Sequence, residues 1–269
     1  MPARARGAIC LAMLLAGCGG ADESSSPATS APPPPPMPRS TVSETQTRQP
    51  EQTALSVYFL RDGQIAAARR TVAGTEAVAR AALEALIDGP TAREREAGLV
   101  TSVSRGLAFE RLEVADGAAR VDFSGGRCPS IAQVVYTLTQ FSTVQRVTGN
   151  CIPDAEYPQG LARADLEDVT PPIFVESPTV HEEVSSPVRI RGTANTFEAV
   201  FVVNLTDWDG RIVAEQIVTA TSGSGDRGTF DVTVPFEVDR PGGALVVFER
   251  SAEDGSQIHV IEIPLRLKP

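Results

Sequence analysis

From residue 170 onward the sequence carries no helical period. Seven short β-rich runs take its place: IFVE (173–176), VRIRG (188–192), AVFVVNL (199–205), RIVAEQIVTA (211–220), TFDVTV (229–234), ALVVFE (244–249) and IHVIEIPL (258–265). Turn residues separate them at Asp209-Gly210, Gly223-Ser224-Gly225, Pro241-Gly242-Gly243 and Asp254-Gly255. Branched and aromatic side chains crowd such runs because they pack well on a pleated surface. Seven strands in about 97 residues bury their apolar sides by closing two sheets face to face, so 170–269 reads as an immunoglobulin-like β-sandwich. The cysteine–tryptophan–cysteine signature of antibody domains is absent.

Residues 54–169 alternate strand and helix signals. LSVYFL (55–60) reads as a strand, Arg61-Asp62-Gly63 as a turn and QIAAARRTV (64–72) as the returning arm. Thr75 is placed to cap a helix through Ile87, which Asp88-Gly89-Pro90 ends. Residues 107–123 read as a hairpin turning at Asp116-Gly117. Ser130 and Gln133 match a capping box. Beyond them Ile131, Val134, Val135, Leu138 and Phe141 line one face of a second helix, and 144–148 follow as a strand. The order is ββαββαβ, an α+β domain with helices on one face of a mixed sheet.

The first 53 residues contain no folding unit of their own. Arg4 and Arg6 precede a short apolar core (7–16), and Leu15-Ala16-Gly17-Cys18 matches a bacterial lipobox. On that reading 1–17 is a lipoprotein signal peptide and Cys18 is the acylated first residue of the mature protein, attached to a bacterial membrane outside the cytoplasm. The rival reading is an ordinary secretory signal with an incidental cysteine. Residues 18–53 hold almost no apolar side chain and a run of five prolines, the composition of a disordered tether. Once Cys10 and Cys18 are set aside, Cys128 and Cys151 remain, an even pair suited to a disulfide in an oxidising compartment. Two free thiols or half a metal site are the alternatives.

Three stretches of the first domain, LEALIDGPT (83–91), DGAARVDFS (116–124) and QVVYTLTQFSTVQRV (133–147), resemble the GerMN domain of sporulation and germination proteins. PPIFVESP (171–178), SPVRIRGTANTFEA (186–199), WDGRIVAE (208–215) and EDGSQIHVIEIPL (253–265) resemble the immunoglobulin-like domain of bacterial spore germination proteins. The resemblance implies an envelope lipoprotein that binds a protein partner and carries no established active site. GerMN domains are similar to the ring-building folds of envelope assemblies, and they occur in sporulation lipoproteins and in a lipoprotein that modulates a sensor kinase. Cys128, Cys151 and the long stretch 149–170 depart from that pattern.

Chemistry is sparse. His181 and His259 lie in no nucleophile or metal motif, and His181-Glu182-Glu183 lacks a second histidine one helical turn on. Asp207-Trp208-Asp209-Gly210 reads as a turn rather than a calcium loop. No metal site and no cofactor is expected. The net charge of −10 and a single lysine, Lys268, exclude a nucleic-acid funnel. Binding candidates are Tyr136, Thr137, Thr139 and Gln140, an uncharged polar face beside the buried stripe of the second helix, and Trp208 as an exposed anchor. The chain therefore reads as a non-catalytic interaction or scaffold module of the cell envelope. A peptidoglycan- or glycan-binding module, and then a wall hydrolase, are the alternatives.

Overall fold

The computed structural model describes residues 52–75 and 77–269. The leader, Cys18 and the tether through residue 51 lie outside the described residues. Strands β1 (Gln52–Arg61) and β2 (Gln64–Ala73) pair antiparallel along their whole length, with Arg61 opposite Gln64 and Gln52 opposite Ala73. Asp62 and Gly63 both take positive φ (54° and 82°), the geometry that lets a two-residue turn follow the twist of its strands. The strand begins three residues before the expected Leu55, so Gln52 and Thr53 belong to the sheet and not to the tether.

Helix α1 (Val78–Asp88) buries Ala82, Leu83, Leu86 and Ile87, the expected stripe. Its start corrects the sequence reading. The N-cap is Ala77, with no side-chain cap, while the Thr75 hydroxyl accepts from the Ala77 amide (3.0 Å) two residues before the cap position. A short helix α2 (Ala92–Glu96), absent from the sequence reading, holds a true capping box. The Glu94 amide donates to the Thr91 hydroxyl, and the Thr91 amide donates to the Glu94 carboxylate (2.8 Å). That carboxylate also receives both guanidinium nitrogens of Arg70, at 2.5 and 2.8 Å. Burial pushes the Glu94 pKa up, but Arg70 and Thr91 outweigh it and hold the carboxyl below its usual range. A carboxylate with a depressed folded pKa adds stability above its unfolded pKa of about 4.3, and that stability disappears as pH falls through the folded value. Glu94→Gln is therefore expected to cost about 2 kcal/mol at pH 7 and progressively less below pH 4, read from chemical unfolding at each pH. An equal loss at pH 3 and pH 7 would contradict this.

Strands β3 (Phe109–Ala115) and β4 (Ala118–Phe123) form the second hairpin, and β5 (Arg146–Thr148) runs parallel to β4. The mixed sheet is thus β3-β4-β5, and β1-β2 stands as a separate two-stranded sheet. A bridge between Leu60 and Val100 ties the first hairpin to the segment after α2. Helix α3 (Ile131–Leu138) is shorter than the expected stripe, which ran on to Phe141. Val57, Phe59, Leu83, Leu86, Val121, Val134, Val135 and Leu138 meet in the core between these elements.

Cys128 and Cys151 are disulfide-bonded, with Cα atoms 5.4 Å apart. The bond clips the approach to α3 onto the loop after β5, closing a loop whose ends are 23 residues apart. Cys128→Ser with Cys151→Ser is expected to lower the unfolding free energy by about 3 kcal/mol, measured by denaturant unfolding. An unchanged midpoint would refute a structural role for the bond.

All seven expected β runs of the second half are strands. They are β6 (Ile173–Ser177), β8 (Val188–Ala194), β9 (Val200–Asp207), β10 (Ile212–Thr219), β11 (Gly228–Val234), β12 (Gly243–Arg250) and β13 (Gln257–Leu267). A short β7 (Glu183–Val184) adds to the end of β13. The sheets are β10-β9-β12-β13-β7 and β11-β8-β6. Phe201 and Phe230 meet edge to face between them, centroids 4.9 Å apart. Among the described residues no helix is long and apolar enough to cross a membrane. The described residues fall in one compact unit, and the two domains share an interior.

Candidate functional site

The shared interior is built on β1, α3 and β6. Tyr58 on β1, Tyr136 on α3 and Phe174 on β6 form a triangle of rings, each 2% exposed. Tyr136 meets Phe174 edge to face at 5.5 Å, and Tyr58 lies 5.5 Å from Tyr136 and 6.1 Å from Phe174. Pairs in this geometry add roughly 0.5–1.5 kcal/mol beyond their area burial. Phe174 comes from the second domain and the two tyrosines from the first, so the triangle is the seam.

Arg163 closes the seam. It sits in the 3-10 segment Arg163–Val169, whose first turn Asp165 caps by accepting from the Ala162 amide (2.9 Å). The Arg163 guanidinium donates to Glu176 Oε1 (2.6 Å), Thr139 Oγ1 (2.8 Å), the Tyr136 carbonyl (3.0 Å) and the Tyr58 hydroxyl (3.2 Å). It also stacks over both tyrosine rings, 4.6 Å from Tyr136 and 5.0 Å from Tyr58. Tyr58 donates to the same Glu176 oxygen (2.9 Å). Burial pushes the Tyr58 pKa well above its ordinary value, with Arg163 pulling the other way. Burial favours discharge of Arg163, yet Tyr58 and Glu176 outweigh it and hold its pKa above the usual value. Arg163 is therefore held as a cation by four hydrogen bonds and two stacked rings.

A second clamp lies at the far end of the 3-10 segment. Arg227 forks onto Glu167 (2.7 and 2.9 Å) and donates to the Pro171 carbonyl (3.0 Å), while Asn195 donates to Glu167 (2.7 Å). These bonds from Arg227 hold the Glu167 carboxyl below its ordinary pKa.

The seam corrects the binding face proposed for α3. Tyr136 and Thr137 are 2% and 0% exposed. The Tyr136 hydroxyl pairs with Thr170 Oγ1 (2.5 Å), and Thr137 Oγ1 accepts from the Tyr58 amide (3.2 Å). Thr139 is bound by Arg163, and Gln140 straps Ser56 by accepting from its amide (2.8 Å) and donating to its carbonyl (2.6 Å). An uncharged polar face looks solvated in sequence, but here β1 and the second domain consume it. Gln133 is turned inward too. Instead of closing a box with Ser130, which makes no cap bond, its amide donates to the Tyr58 carbonyl (3.1 Å) and accepts from the Ser102 amide (2.9 Å).

Trp208 remains outside, 52% exposed, with the Arg240 guanidinium 5.0 Å over its ring. Asp207 accepts from the Asp209 and Arg211 amides (3.0 and 2.9 Å), which fixes the turn that presents it. His181 contacts the Arg93 carbonyl (3.3 Å), and His259 lies 3.8 Å from Glu249. Among the described residues no group of three or more histidine, cysteine, aspartate or glutamate side chains is placed to hold a metal.

At the mouth of the seam, Ser56, Tyr58, Arg69, Arg163, Glu176 and Arg191 line a polar cleft of about 270 Å³. Sequence reasoning missed Arg163, Glu176, Arg69 and Arg191. The available signals were the extra length of 149–170, which carries Arg163, and Tyr58, a polar-tipped ring within an otherwise apolar strand.

Residues 56–148 match the family described as sporulation and spore germination, and residues 172–256 match the immunoglobulin-like domain of bacterial spore germination. Among solved structures, the chain is similar to the tandem GerMN domains of the sporulation protein GerM from Bacillus subtilis, at 17% identity and a TM-score of 0.35. That likeness covers 69% of this chain and 62% of the other, so this chain spans less than two thirds of that one. No curated protein matches.

Proposed function

We propose that this chain, a sporulation and spore germination domain joined to the immunoglobulin-like domain of bacterial spore germination, is a non-catalytic scaffold of the bacterial envelope. It acts in sporulation, germination or envelope signalling by presenting one rigid two-domain body to a protein partner. The observation that carries the reading is the seam. Tyr58, Tyr136, Phe174 and the Arg163–Glu176 pair fuse the domains, so a partner meets a fixed surface rather than two independent modules. Preorganisation of that kind reduces the ordering cost of association. Trp208, exposed and stacked under Arg240, is the partner-facing anchor. Lipidation at Cys18 places the body on the outer side of a membrane.

Two measurements test this. Intact mass of membrane-extracted protein should show loss of residues 1–17 and added acyl mass on Cys18; an unmodified chain defeats the anchoring. A photo-reactive residue at position 208 should trap the same envelope protein in repeated experiments, and one at Arg111, on the exposed side of β3, should not. Failure to trap any protein reproducibly would defeat the scaffold reading.

A further inference from the structure

The cleft at the seam mouth carries more positive charge than the seam consumes. Within it, Arg163 and Glu176 neutralise each other through a 2.6 Å ion pair. Arg69 and Arg191 remain. Both are exposed, and among the described residues neither forms an ion pair or donates a side-chain hydrogen bond. Their positions are fixed by the strands. Arg69 stands opposite Ser56 in the β1-β2 ladder, and Arg191 stands between Ser177 of β6 and Asp231 of β11, whose carboxylate is ion-paired with Arg189. One guanidinium therefore comes from each domain, and the rigid seam sets the gap between them.

This is an unusual concentration in a chain of net charge −10. Guanidinia without a direct ion-pair partner lining one cleft raise the local anion concentration, because low-dielectric walls focus their field. Guanidinium groups bind planar or tetrahedral oxyanions through forked, charge-assisted hydrogen bonds. Two unpaired positive charges match a dianion better than a monoanion. The small volume admits a compact group, since sites for drug-sized ligands run from about 300 to 1,000 Å³. Glu176 uses Oε1 for both Arg163 and Tyr58, which leaves Oε2 to accept from a hydroxyl beside the anion.

We propose that this cleft binds a phosphate monoester through Arg69 and Arg191, one from each domain, with Glu176 accepting a neighbouring hydroxyl. It goes beyond the scaffold reading and does not depend on a protein partner.

Calorimetric titration of the full chain in mild detergent tests it. Glycerol 3-phosphate stands for a free ester, and dihexanoyl phosphatidic acid stands for a lipid headgroup. Binding with a Kd of about 1 mM or tighter is expected for at least one probe. Arg69→Gln and Arg191→Gln should each weaken it about tenfold, the double variant should abolish it, and Arg240→Gln should leave it unchanged. Both cleft arginines are exposed, so thermal melts of these variants should match the parent. Loss of glycerol 3-phosphate binding in the double variant assigns a free ester. Binding of phosphatidic acid alone, lost in the same variant, assigns a headgroup. No binding of either probe, binding indifferent to both substitutions, or acetate bound as tightly as phosphate would each overturn the proposal.

Discussion

Phe174→Ala is expected to lower the unfolding free energy by about 4 kcal/mol and to split one thermal transition into two. The first effect follows from the size of the hole. Phe174 is fully enclosed by Tyr58, Tyr136 and the strands around them, and deleting a buried phenyl ring typically costs about 3–5 kcal/mol. The second follows from where the hole lies. Each domain has its own core, one centred on Leu83, Val121 and Val134 and the other on Ile190, Phe201 and Leu245. Those cores meet chiefly at the aromatic triangle and the Arg163 and Arg227 clamps, with Val180 packed on both and Arg61 donating to the Glu262 carbonyl (2.9 Å). With the triangle gone, each core should melt at its own temperature. Differential scanning calorimetry decides the matter: a single transition shifted by less than the equivalent of 1 kcal/mol would mean that the seam does not couple the domains. Leu83→Ala serves as the comparison, since it should destabilise the first core without removing any seam side chain.

Gly149→Ala should be comparably severe, at about 4 kcal/mol. Gly149 has a φ of +142°, outside the range that a side chain tolerates, and an added Cβ would lie 1.7 Å from the Val121 carbonyl oxygen. The loop cannot retreat freely. Its next residue, Asn150, accepts from the Phe123 amide (3.0 Å) and donates to the Phe123 carbonyl (2.8 Å), and Cys151 is then bonded to Cys128. Backbone strain of about 1–3 kcal/mol adds to an overpacking cost of similar size. Urea unfolding would measure the loss. Gly125→Ala, also at positive φ but with open space around its Cβ, should cost visibly less, and equal losses at the two positions would reject the steric account.

Much of the architecture was legible because it rests on local pattern. The seven β runs, the Asp62-Gly63 and Asp116-Gly117 turns and the stripe on α1 all depend on neighbours within a few residues. The misread positions depend on distant partners. Ser130 and Gln133 have the spacing of a capping box, yet the Gln133 amide finds better partners at Tyr58 and Ser102, far along the chain. Thr91 and Glu94 are the converse case, a genuine box on a helix of only five residues, too short to carry a helical period. Tyr136 and Thr137 looked like solvent-facing side chains because periodicity reports which face of a helix is apolar, not whether a second domain covers the polar one. The seam was least legible of all. Arg163 and Glu176 are 13 residues apart, but Tyr58 lies 105 residues before Arg163, and nothing short-range links them.

Strand β1 gives the molecule a mechanical axis. Its first residue, Gln52, is where the preceding chain enters the fold, and six residues later Tyr58 is in contact with the second domain. At roughly 3.3 Å per residue that is about 20 Å of extended backbone. Tension applied at Gln52 would enter a strand that β2 holds along its whole length and whose Leu55, Val57 and Phe59 sit in the first core, and it would reach Phe174 and Glu176 through Tyr58. A pull on this strand would therefore load the first core and the aromatic triangle together, and the two domains would resist it as one body.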